Sequence, residues 1–100
     1  MSITIRVVDA VRGVPASGVP VRLDTYDGQS WQAAEEGVTD ERGGIRLEAT
    51  GDGPFRARLG AGQYFRTAFP EVQVIFDPSA GNRLELQLAP HTYTAAIITE

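Results

Sequence analysis

Apolar and polar residues alternate with a period of two along most of the chain. Ile3, Ile5 and Val7 flank Thr4 and Arg6; Val19, Val21 and Leu23 flank Pro20 and Arg22; Ile45, Leu47 and Ala49 flank Arg46 and Glu48. The same pattern returns in Phe55, Ala57 and Leu59, in Val72, Val74 and Phe76, and in Leu84, Leu86 and Leu88, which alternate with Arg83, Glu85 and Gln87. This is the period of strands with one buried face. Residues 30–34 around Trp31 predict one more short strand, and residues 92–99, rich in β-branched side chains, a last one. Gly, Pro and Asp punctuate the segments at 11–15, 26–29, 41–44, 51–54 and 77–81, and again at Pro90. Pro20 has no backbone donor, so its strand is expected to lie at an edge or to begin near the proline. Gly60 and Gly62 leave room for at most one helical turn between residues 59 and 66. Seven or eight short strands without a long helical period predict an all-β protein, two sheets packed face to face in one domain over residues 1–100.

Composition narrows the function classes. A chain of 100 residues buries roughly 60–70% of its unfolded surface, so association with copies of itself is a natural way to bury more. The formal charge is −4, from 9 basic and 13 acidic residues, which argues against a nucleic-acid partner and gives no reason to expect an anionic membrane. There is no cysteine, which excludes disulfides, a cysteine nucleophile and a thiolate zinc site. One histidine and scattered carboxylates suggest no metal, and no cofactor motif is visible. No signal-peptide pattern opens the sequence and no apolar run is long enough to span a bilayer, so a cytoplasmic location is the default expectation.

A series of collinear segments carries a resemblance. Val7-Val8-Asp9-Ala10-Val11-Arg12-Gly13-Val14-Pro15-Ala16 resembles the first strand and turn of the transthyretin / 5-hydroxyisourate hydrolase family. Trp31 followed by Gly37-Val38-Thr39 and Gly43, then Tyr64-Phe65, Phe69-Pro70-Glu71-Val72, Leu86-Gln87-Leu88-Ala89-Pro90 and Tyr93-Thr94, resemble its later blocks in order. The resemblance implies an eight-stranded sandwich in which two subunits join edge to edge and two such dimers meet face to face around a central channel that takes small molecules. A short helix of the family falls where only Arg66, Thr67 and Ala68 stand here, so it is expected to be cut to a turn or lost.

The resemblance also locates what is missing. The hydrolases carry a histidine where this chain has Arg6, an arginine where it has Gly44 (with Arg46 two residues on), and a second histidine where it has Arg83; their Tyr-Arg-Gly-Ser tail corresponds to Ala96, Ile97, Ile98 and Thr99. Water-driven ring opening needs a base with a pKa near neutrality, and arginine stays protonated throughout that range. Ordinary hydroxyisourate hydrolysis is therefore not expected.

The candidate ligand-binding residues are Arg6, Val8, Arg46, Arg83, Glu85, Thr94 and Ala96, which alternation and the resemblance put toward the channel. Paired guanidinium forks suit a carboxylate or phosphate, so the first reading is a homotetramer binding a small organic acid or cyclic metabolite. The second is a repurposed enzyme performing ring opening, cyclisation or isomerisation, with Glu85 as catalytic acid/base and Arg6 and Arg83 stabilising negative charge. A hydroxyisourate hydrolase with substituted residues, and an interaction module using only the sandwich edges, are the remaining readings. Arg56 and Arg58 read as a solvated strand face, His91 as a surface turn residue, Trp31 as packing, and Asp9 as a turn cap.

Overall fold

The computed structural model describes residues 1–99. Among these residues nine strands form: β1 (Ser2–Asp9), β2 (Val14–Pro15), β3 (Pro20–Tyr26), β4 (Trp31–Val38), β5 (Gly44–Glu48), β6 (Phe55–Leu59), β7 (Val72–Phe76), β8 (Arg83–Ala89) and β9 (Thr92–Ile98). They make two sheets. In the first, β1 is central: β8 runs parallel to it on one side, β2 and β5 pair with it antiparallel, and β9 closes the far edge. The second has the order β4-β3-β6-β7 and is antiparallel throughout.

The alternation dictates the core. Ile3, Ile5 and Val7 of β1 and Leu84, Leu86 and Leu88 of β8 are buried against Val21, Leu23, Phe55, Ala57, Leu59 and Val72 of the other sheet. Phe55 meets Phe76 edge-on, with ring centroids 6.0 Å apart. Side chains at even positions of β1 and odd positions of β8 are left on the outer face of the first sheet, and that face carries the candidate site.

Several local details depart from the sequence pattern. β3 is an interior strand, and the proline constraint is met because Pro20 is its first residue. β4 runs on to Val38, well past residue 34; it is an edge strand with almost every side chain exposed, so no alternation marks it, and its pairing with β3 shifts at a bulge between Leu23 and Asp24. β2 is only two residues long, inside what reads as a loop. The single helical turn is a 3₁₀ segment, Ala61–Gln63, and among the described residues there is no α-helix; the stretch from Arg66 to Glu71 is irregular. Gly43 sits at φ +75° with its Cα against the Val7 carbonyl, so close that a Cβ would collide with that oxygen. This glycine lets the 40–44 turn fold back onto β1.

Candidate functional site

The register of the first sheet lines up its outward side chains in rows. Gly44, Arg6, Glu85 and Ala96 form one row across β5, β1, β8 and β9. Arg46, Thr4, Arg83 and Ile98 form the row on one side of it, and Val8, Gln87 and Thr94 the row on the other. Gly44 and Ala96 are small, so they leave the ends of the central row empty. Arg6, Val8, Glu85, Gln87, Thr94 and Ala96 thereby line a shallow cavity of about 410 Å³.

The turn between β4 and β5 holds the row in place. The Asp40 carboxylate accepts hydrogen bonds from the backbone N–H of Gly44 (3.0 Å) and Arg42 (2.9 Å), which also hold its pKa below the usual carboxylate value. Nothing in the packing demands glycine at 44: a Cβ there would come no nearer than 3.8 Å to any neighbour, and its φ is ordinary.

Arg83 donates from Nε to Glu85 Oε1 at 2.9 Å. Glu85 Oε1 is thus already occupied by a guanidinium N–H. The Arg6 side chain is exposed and makes no hydrogen bond or ion pair among the described residues, and the same holds for that of Arg46. Of the residues singled out in the sequence, Arg6, Val8, Glu85, Thr94 and Ala96 meet in the cavity; Arg83 adjoins it through Glu85. Arg46 shares the face but stands opposite Thr4, outside the cavity. Gln87 completes the lining. Among the described residues no cluster of His, Cys, Asp or Glu could hold a metal ion, and no helix is long and apolar enough to cross a membrane.

Asp9 lies at the end of β1, 2% exposed, and caps the next turn through Val11 N–H (2.9 Å) and Arg12 N–H (3.1 Å), while Tyr64 donates its hydroxyl at 2.9 Å. Burial alone would raise its pKa, but the bonds from Arg12 N–H, the Tyr64 hydroxyl and Val11 N–H outweigh it and hold the carboxyl below its ordinary value. Stability from this group is therefore full above the ordinary carboxyl pKa and is lost as pH falls through the lower folded-state value. Tyr64→Phe is expected to cost about 1–2 kcal/mol at neutral pH, with the gap to the parent narrowing in acid as Asp9 protonates. Urea denaturation at the two pH values measures this; a gap independent of pH would show that Tyr64 acts through packing alone. His91 is exposed in the β8–β9 turn, and Trp31 packs on Tyr26, with ring centroids 5.2 Å apart.

Comparison with known proteins decides the lineage. The sequence matches the HIUase/Transthyretin family over residues 3–95. The chain belongs to this family. Relatives of this HIUase/Transthyretin member include 5-hydroxyisourate hydrolases from Salmonella dublin and Salmonella typhi, each 33% identical over 89 residues, covering 80% of this chain. The match spans 65% of the length of those relatives. Transthyretin from Sparus aurata superposes with a TM-score of 0.86 at 26% identity, covering 96% of this chain and 95% of that one. Sea bream transthyretin in complex with thyroxine gives 0.88 at 25% identity, covering 98% and 95%. The Klebsiella pneumoniae 5-hydroxyisourate hydrolase structure, at 0.85 and 21% identity over 99% and 100% of the two chains, shares the fold.

Proposed function

We propose that this family member is a single-domain binding protein that assembles as a dimer of dimers and holds a small organic anion between facing copies of the first sheet, without ordinary hydroxyisourate hydrolysis. The observation that carries the reading is Arg6, an exposed guanidinium without a partner among the described residues, standing in a cavity of about 410 Å³ in a row whose two ends, Gly44 and Ala96, are small. An unneutralised fork in a recess suits a carboxylate, which accepts two parallel N–H bonds. The sea bream relative is in complex with thyroxine, a precedent for small-molecule binding in the family. Arg46 at the border adds positive charge to the face.

A second reading is enzymatic, and the hydrolase names of the Salmonella relatives favour it. Glu85 is then the proton carrier, with Arg6 and Arg83 stabilising an oxyanion. The Arg83–Glu85 bond at 2.9 Å argues for the binding reading, because a base must first be freed from that cation.

One preparation tests both. Its mass in solution is measured, its binding of thyroxine and simple aromatic carboxylates is followed by calorimetry, and hydroxyisourate decay is followed by absorbance. The expected result is a tetramer that binds an acid, with Arg6→Gln weakening it by about tenfold or more, and hydroxyisourate decay at the spontaneous rate. Decay well above that rate, suppressed by Glu85→Gln, would transfer the conclusion to the second reading. A monomer without affinity for acids would end both.

A further inference from the structure

The second sheet carries an electrostatic imbalance of its own. On its outward side Arg22 lies directly opposite Arg58, and Arg56 opposite Asp24. Like charges facing one another across strands are destabilising. A single carboxylate, Asp24, 1% exposed, answers all three: Arg56 Nε and Nη2 lie 2.9 Å from Oδ2, Arg58 Nε lies 3.0 Å from Oδ2, and Arg22 Nε lies 3.2 Å from Oδ1. The Arg58 Nε–H does not point at the carboxylate, leaving a buried donor without an aligned acceptor. Arg56 is further held by stacking 4.6 Å above the Trp31 ring. The terminal nitrogens of Arg22 and Arg58 meet no acceptor among the described residues. Two surplus positive charges are thus fixed side by side in a chain whose net charge is −4.

These two arginines line a cleft of about 560 Å³, larger than the cavity around Arg6 and on the opposite side of the sandwich. Gly37, Gly60 and Gln63 also line it. Glu36 and Glu71 also line it: Glu36 stands opposite Arg22 in the β3–β4 pairing yet forms no ion pair with it, and among the described residues the Glu71 carboxylate accepts a hydrogen bond only from the Gln73 amide, at 3.5 Å. Cations and carboxylates therefore face one space without neutralising one another. We infer that this cleft binds a small zwitterion, its carboxylate or phosphate between Arg22 and Arg58 and its amine toward Glu36 and Glu71. Paired guanidinium forks supply fixed donors for the anionic end, and the rim carboxylates reject a bare dianion.

Amide chemical-shift titrations of the whole chain with phosphoethanolamine, glycine and inorganic phosphate test the assignment. The expected result is saturable movement of the Arg22, Gly37, Arg58 and Gly60 signals with an amine-bearing probe, about tenfold weaker with inorganic phosphate. Binding of phosphoethanolamine but not glycine identifies the anionic end as a phosphate; the reverse identifies a carboxylate. Arg22→Gln, at a half-exposed side chain, abolishes the movement; Glu71→Gln, at an exposed one, removes the preference for the amine; Arg6→Gln changes neither. Phosphate binding as tight as phosphoethanolamine, movement that follows Arg6→Gln, or no movement with any probe overturns the assignment.

Discussion

Asp24→Ala is expected to lower stability by about 3–5 kcal/mol, a large share of the roughly 5–15 kcal/mol that holds a domain of this size together. The reason is not the loss of one attractive pair. Removing the carboxylate leaves Arg56 and Arg58, 18% and 22% exposed, as uncompensated charges beside Arg22. Asp24→Asn keeps an acceptor without the charge and should fall between the two. Millimolar phosphate should restore part of the alanine variant's stability, because an added anion replaces the missing counter-charge. Urea denaturation with and without phosphate measures all three; a loss below about 1 kcal/mol would mean that the arginines escape to water at little cost.

Phe55→Ala is expected to cost about 3–5 kcal/mol through transfer and cavity terms. Phe55 is fully buried, and its edge-on contact with Phe76 joins β6 to β7. Phe55→Leu should cost far less, about 1 kcal/mol, since it nearly conserves apolar volume. If the alanine variant lost no more than the leucine one, the core would have to collapse around the gap.

How much of this was legible beforehand depends on what each residue's neighbours contribute. The β1 and β8 faces were readable because burial on one side enforces strict alternation, and that alternation also put Arg6, Glu85, Gln87 and Thr94 on the outside. The cavity itself needed the register, which sets small residues at Gly44 and Ala96 at the ends of one row. Arg46 was read as part of the site because period-two counting gives the face and not the row. β4 beyond residue 34 was missed because an exposed edge strand has no buried face to betray it. The reading of Arg56 and Arg58 as a solvated face is corrected by the structure: both converge on Asp24, which no motif marks. Asp24 alternates like any outward residue, and only the β3–β6 register reveals that three arginines surround it.

The parallel pairing of β1 with β8 has a consequence in time. Thr4 finds its partner in Arg83 and Val8 in Gln87, so β1 is synthesised some eighty residues before β8 and is among the last strands to be completed. Until residues 83–89 are made, the apolar row Ile3, Ile5 and Val7 has only β2 and β5 beside it. Such distant pairing places the chain among slow folders, on the scale of milliseconds to seconds. A stalled or truncated product would leave the β8 side of β1 unpaired and its apolar row partly uncovered, a surface suited to capture by a chaperone.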